Sequence, residues 1–279
     1  IETIVRLLMP MLFVLMIVMV VNSIINGDFA RGLSFLFAPN FSDVTPATFL
    51  SAMGQAFFSL SLGMGSIMCY GAYMPKDENV FNTSLTVCGL DTLIAIMAGL
   101  AIFPIIFAYG LEPDAGPSLV FISLLSVFWD MPFGNYIGPV FFILLSVAAL
   151  SSSISLLEPS VAFLSEEKIF SRKSASIILG LIAWFLGIGS LLSFNLWSEV
   201  NIIGDLNFLN SMDFLANQFL MPLGGMFVAI FAGWFLSTKI IKEELEPGQK
   251  KIFIVWRFFI KFISPTLVAL IFINQLFFS

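Results

Sequence analysis

Four serines fall within five residues, Ser151, Ser152, Ser153 and Ser155, in the run "VAALSSSISLLEPS" (147–160). A small hard cation such as sodium takes about five or six oxygen ligands. A helix bearing Ser151 and Ser152, with the Ala148 carbonyl one turn earlier, offers three of them. The competing reading is local, since a helical serine readily bonds back to a carbonyl one turn earlier. A second polar stretch, "SLSLGMGSIMCYGAY" (59–73), sets Ser59, Ser61 and Ser66 among Gly63, Gly65 and Gly71. Glycine weakens a helix, and a lost backbone hydrogen bond in hydrocarbon costs several kcal/mol. Either the helix breaks so that its N–H and C=O ends face a ligand, or small residues let two helices pack closely. Asp91 is the third feature. It stands inside an apolar run, about 14 Å from a helix start near Asn82. A lone Asp there costs roughly 2.5–3.5 kcal/mol on insertion scales, which points to function more than to a structural bond. Glu158, just before Pro159, reads equally as a hinge partner or as part of ion coupling.

The elements that position these groups are apolar helices. The chain has 279 residues, 59% hydrophobic and 11% charged, with a mean hydropathy of +1.01. Soluble domains carry about 25% charged residues. Apolar runs of helix length predict an all-α integral membrane protein rather than a β-barrel. Spans are predicted at about 4–26, 48–74, 84–110, 139–165, 174–195, 213–238 and 252–277, within a single transmembrane domain, 1–279. A segment at about 115–135 is too short and too interrupted to cross, and reads as a broken hairpin on the outer face.

Composition also excludes chemistry. There is no histidine, so His-ligated zinc and Ser-His or Cys-His nucleophile pairs are ruled out within this chain. Without an intramembrane base to activate the serines, no enzyme is expected. Cys69 and Cys88, the only two cysteines, read as small buried hydrophobes. The net charge of −6 says little about partners in a membrane protein, and no nucleic acid is expected. Sidedness matters more. The loops after the second, fourth and sixth spans, with Arg6, Arg257 and Lys261 at the same side of their spans, hold all the Lys and Arg but Arg31. The positive-inside rule then places the N-terminus in the cytoplasm, and the plasma (inner) membrane is the expected location. The opening Ile1-Glu2-Thr3 and the odd number of spans lead us to expect further helices ahead of the first.

The runs "GQAFFSLSLGMGSIMCYGAYMPKDE" (54–78) and "AALSSSISLLEPSVAFLSEE" (148–167) resemble the neurotransmitter:sodium symporter family, in its bacterial amino-acid transporter branch. "RLLMPMLFVLMIVMV" and "MDFLANQFLMPLGG" support the likeness, which covers nearly the whole chain. It implies an inverted-repeat transporter fold with a discontinuous helix near 59–65. That family is itself the type case for broken transporter helices, so this agreement adds no independent weight. The resemblance makes the seven spans similar to the family's fifth to eleventh helices, with the first four missing.

The resemblance also implies roles. Phe58, Ser59, Ser61 and Met64 would line an amino-acid pocket, with Ser152 and Leu156. Ser59 and Asp91 would bind one sodium. Ala148, Ser151 and Ser152 would bind a second. Gln55 and Asp213 stand at positions resembling the outer gate, although Asp213 also reads as a simple helix cap. Tyr73 and Glu166 resemble the inner gate. Asp91 stands where many members have Asn, and a carboxylate there can supply the negative charge that chloride brings elsewhere, so chloride independence is expected. Flexible Met64 beside small Ser61 favours a large apolar or aromatic amino acid. The expected activity is sodium-coupled amino-acid symport into the cell by alternating access. The alternatives are a same-fold carrier of a small organic amine and a non-transporting sodium or ligand sensor.

Overall fold

The structure is a computed structural model and describes residues 2–75, 77–113, 119–245 and 250–277. Among these, six helices are long and apolar enough to cross a membrane: Met9–Asn26, Val80–Ala108, Gly134–Glu166, Arg172–Leu192, Phe208–Phe235 and Phe253–Leu270. The span expected at 48–74 is instead divided into α3 (Pro46–Ser59) and α4 (Ser66–Tyr73). The chain falls into two compact units, Ile1–Asp43 with Val87–Ile154, and Val44–Thr86 with Ser155–Ser279.

The first unit is built on α1 (Glu2–Asn26), the amphipathic α2 (Phe29–Phe37) and most of α5 (Val80–Ala108). It also holds α6 (Leu124–Asp130) and the larger part of α7 (Gly134–Glu166). Its core gathers Met19, Ile105, Ile106, Leu124, Val127 and Phe128. Pro104 sits inside α5 and cannot donate to the Leu100 carbonyl one turn earlier. Ser23 of α1, fully buried, donates its hydroxyl to that carbonyl at 2.6 Å. The Pro104 carbonyl in turn accepts from the Asp28 N–H at 2.8 Å. The small residues Gly27 and Gly32 pack directly on Pro104.

The outer hairpin expected at about 115–135 lies partly outside the described residues. Residues 115–118 lie outside the described residues, and the remainder is one short apolar helix, Leu119–Asp130. The chain then turns straight into α7. Pro132 has no N–H with which to extend the helix. Phe133 adopts φ +61°. A Cβ on Gly134 would stand 1.8 Å from the Phe128 carbonyl oxygen. The turn therefore closes over a glycine.

The second unit holds α3 and α4, the end of α7, α8 (Arg172–Leu192), and a two-stranded antiparallel ribbon, β1 (Asn201–Ile203) with β2 (Leu206–Asn207). The ribbon follows apolar and polar residues too few to register as strands in a membrane sequence. Next come α9 (Phe208–Asp213), α10 (Met221–Ile230) and α11 (Thr238–Glu244). The unit closes with α12 (Lys250–Phe258) and α13 (Ser264–Phe277). Wide π turns at Phe214–Leu220 and Phe259–Ile263 precede Pro222 and Pro265. A wide turn absorbs the missing proline N–H without ending the helix. The Lys261 carbonyl, four residues before Pro265, accepts from the Trp234 indole at 3.3 Å.

Candidate functional site

The break between α3 and α4 has a local cause. The Ser61 N–H bonds to the Phe58 carbonyl at 3.0 Å, and the Leu62 N–H to the Phe57 carbonyl at 2.9 Å. These are the two bonds of a Schellman closure, which needs a left-handed residue just past the helix. Ser61 fills that place with φ +52°, where glycine is usual. Gly63 and Gly65 follow at φ +83° and +86°. Gly63 has a second requirement, since a Cβ there would meet the Met221 carbonyl oxygen at 2.5 Å. Gly224 and Gly225 of α10 are equally tight, against Gly63 and the Phe57 ring. Small residues thus do allow close packing, and the same residues let the chain turn. The break and the close packing therefore occur together in this stretch. The N–H groups of Gly63, Met64 and Gly65 carry no main-chain bond among the described residues.

Beyond the break, α4 is held to α7 by polar contacts at Ser66, Tyr70 and Tyr73. Pro159 leaves the Ser155 carbonyl without its helical donor. Buried Ser66 donates to that carbonyl at 3.1 Å. Tyr70 and Ser155 share a short hydroxyl–hydroxyl hydrogen bond. Tyr73 donates to Glu158 Oε1 at 2.8 Å. Glu158 is also paired with Arg172 Nη2 at 2.6 and 2.8 Å. The carboxylate side chain is 14% exposed and its partner 53%. A mostly covered charge needs such a partner. Glu158 is therefore an ion-pair anchor joined to Tyr73. Arg172 was missed in the sequence because it follows the polar run "SEEKIFS", where a solvated charge is the ordinary reading. The short connection between α7 and α8, with Lys168 at φ +55°, returns Arg172 beside Glu158.

In the first unit, Asp91, Ala148, Ser151 and Ser152 line one cavity of about 450 Å³. Its other walls are apolar, from α1, α5 and α7, including Met16 and Met19. The Ser151 hydroxyl donates to the Ala148 carbonyl at 2.9 Å, as the local reading anticipated. Ser153 does the same to Ala149 at 2.7 Å. Two oxygens at this separation suit adjacent ligands of one ion. Asp91, half-buried, lies about 16 Å along α5 from Val80. The structure so brings together an acid and two serines assigned above to different sodium ions.

The other positions lie as follows. Phe58 and Ser59 end α3 and are exposed, while Ser61 and Met64 within the break are half-buried. Ser152 and Leu156 are exposed on α7. Gln55 lines an open hollow of about 660 Å³ with Thr45, Thr48 and Ser51. Asp213 is not a helix cap, because α9 begins five residues earlier with Asn207 accepting from the Asn210 N–H. Its carboxylate instead accepts from Asn217, and no hydrogen bond joins it to Gln55 among the described residues. Glu166 is the exposed last residue of α7. The Tyr73 hydroxyl turns to Glu158.

Comparison with known proteins gives this geometry its context. The profile of the Sodium:neurotransmitter symporter family matches residues 2–278. The uncharacterized sodium-dependent transporter YhdH of Bacillus subtilis (strain 168) is 34% identical over 98% of this chain and 61% of its own length. An uncharacterized sodium-dependent transporter of Haemophilus influenzae is 38% identical over 99% of this chain and 61% of its own. The crystal structure of MhsT in complex with L-phenylalanine is similar at a TM-score of 0.86 and 43% identity, over 97% of this chain and 62% of that one. The chain spans about three fifths of the length of these relatives. They are transporters rather than enzymes, and the apolar helices make this a multi-pass protein of the plasma membrane. Matched along nearly all of its length, this chain belongs to the sodium:neurotransmitter symporter family.

Proposed function

We propose that the parent protein of this chain is a symporter that couples sodium entry to inward transport of an apolar or aromatic α-amino acid by alternating access. The observation that carries this reading is the break at 60–65, where α3 closes and α4 restarts around left-handed Ser61, Gly63 and Gly65. The substrate carboxylate meets a sodium ion and the N–H groups at the start of α4, and its ammonium meets carbonyls at the end of α3. Phe58, Ser59, Ser61, Met64, Ser152 and Leu156 line the pocket in this account. MhsT, crystallised with L-phenylalanine, supports a large apolar side chain.

Two sodium ions are carried. Ala148, Ser151 and Ser152 contribute ligands to one, with the cavity wall as support. The assignment of Ser59 and Asp91 to the other rests on the family resemblance. The remaining ligands come from the part of the relatives that this chain does not span. Residues 1–279 act as part of one transporter domain with a cytoplasmic N-terminus. Gln55 and Asp213 serve the outer gate. Tyr73 and Glu166 serve the inner gate, where the Tyr73–Glu158–Arg172 contacts hold α4 while that side is closed. Asp91 replaces chloride.

The test is uptake of labelled phenylalanine by the parent protein in proteoliposomes. Replacing Na⁺ by K⁺ abolishes uptake in this account, and replacing chloride by gluconate leaves it unchanged. Uptake indifferent to the cation would overturn sodium coupling, and a large loss in gluconate would overturn the role given to Asp91.

A further inference from the structure

Three cations gather around α11 and α12, away from the break: Lys242 of α11, Arg257 of α12 and Lys261 just beyond it. Lys242 Nζ lies 5.2 Å from the Phe253 ring centroid, and the Arg257 guanidinium lies 5.7 Å from the same ring. Arg257 also donates to the Thr238 hydroxyl. Lys261 Nζ lies 4.9 Å from the Trp234 ring. That ring is fixed by its bond to the Lys261 carbonyl, freed by Pro265. Gly233 lets the two backbones meet, since a Cβ there would stand 3.1 Å from Lys261 Cα.

None of the three cations is paired with a carboxylate among the described residues. The neighbouring acid Glu243 faces Lys239 at 4.0 Å. Two like charges around one ring repel each other, and the repulsion grows as water thins out. An anion between them would relieve it.

Position identifies the kind of anion. The apolar stretch Phe253–Leu270 begins at the ring that Lys242 and Arg257 share. Arg257 and Lys261 stand about 6 and 12 Å into it by helix rise. Side chains on a helix lean toward its N-terminus, so both cations lean back to the membrane boundary. Beside them Ile254, Val255, Phe258, Phe259 and Phe262 form an exposed apolar face. Phosphate at the boundary and acyl chains along that face match both halves of the surface.

We infer that Lys242, Arg257 and Lys261 form a binding site for the headgroup of an anionic phospholipid. The inference rests on α12 crossing the membrane and not on transport, so it can fail while the transport reading stands. The test uses the parent protein in micelles holding equal amounts of phosphatidylglycerol and phosphatidylcholine, with retained lipid counted by native mass spectrometry. Phosphatidylglycerol should be retained roughly ten-fold over phosphatidylcholine, and the preference should fall about five-fold in each of K242Q and R257Q. K239Q should leave it intact. Lys242 is exposed on a surface helix, so K242Q tests the site without disturbing folding. Equal retention of both lipids, or a preference unchanged in K242Q and R257Q, would overturn the inference. Displacement of the lipid by excess inorganic phosphate would make this a free-anion site and overturn the lipid assignment.

Discussion

Two prolines make the same demand in different places, and the answers differ. Pro104 frees the Leu100 carbonyl in the first unit, and Ser23 satisfies it at 2.6 Å. Pro159 frees the Ser155 carbonyl in the second unit, and Ser66 satisfies it at 3.1 Å. Ser23 belongs to a 25-residue helix packed on the buried Ile105 and Ile106. Ser66 opens a helix of only eight residues. A helix that short is marginal alone and depends on tertiary contacts. The contacts described for α4 are mostly polar, through Ser66, Tyr70 and Tyr73, while Ile67 and Met68 stay exposed. A hydroxyl cap on an orphaned carbonyl serves a fixed core in one case and a releasable half-helix in the other.

The largest expected effect comes from filling the break. Gly63→Ala adds a Cβ where φ is +83° and the Met221 carbonyl oxygen would lie 2.5 Å away. Left-handed strain and overpacking together should cost about 2–4 kcal/mol. Thermal melting of the parent protein should fall, and substrate binding should be lost. A variant that melts and binds normally would mean that the turn tolerates a side chain and that the two regions are equally pliant.

Next is the comparison itself. Ser23→Ala leaves a buried carbonyl unsatisfied and should cost about 1–3 kcal/mol, with the uptake rate of the folded protein unchanged. Ser66→Ala should cost less stability, because α4 keeps Tyr70 and Tyr73, but should alter uptake kinetics. Measured melting temperatures and uptake rates in the reverse order would break the distinction between fixed and releasable caps.

A smaller effect is expected at the ion pair. Arg172→Gln removes one partner of a mostly covered carboxylate and should cost about 1–3 kcal/mol, and Glu158→Gln in the same chain should restore part of it. A double-mutant cycle on melting temperature reads this coupling, and strict additivity would show that the pair does not act together. The smallest effect is a gain. Ser61→Gly relieves a left-handed serine and should stabilise by up to about 1 kcal/mol, seen as a modest rise in melting temperature. A fall would mean that the Ser61 side chain contributes more than its backbone costs.

Much of this was legible in the chain because the signals were intrinsic to the residues. Apolar length marked the spans, and Gly63 and Gly65 marked a turn that other residues avoid. Asp213 was misplaced by a boundary, since apolarity begins later than the helix that Asn207 caps. Pro132 and Gly134 show in the sequence only as an interruption of an apolar run, and the contact with Phe128 that shapes the turn is not written in the local residues. Arg172 could not be found from sequence, as its role depends on a helix return that brings it beside Glu158. The caps supplied by Ser23, Ser66 and Trp234 were hidden for the same reason. Each proline announces an orphaned carbonyl, but its donor comes from a distant part of the chain.

The central claim is that the break at 60–65 faces an amino acid and sodium. Binding of labelled L-phenylalanine to the purified parent protein, in Na⁺ and in K⁺, tests it most directly when repeated with Ser59→Ala. The account predicts saturable binding in Na⁺, little in K⁺, and a loss of affinity in the variant that higher sodium partly restores. Binding equal in both ions and untouched by Ser59→Ala would contradict it.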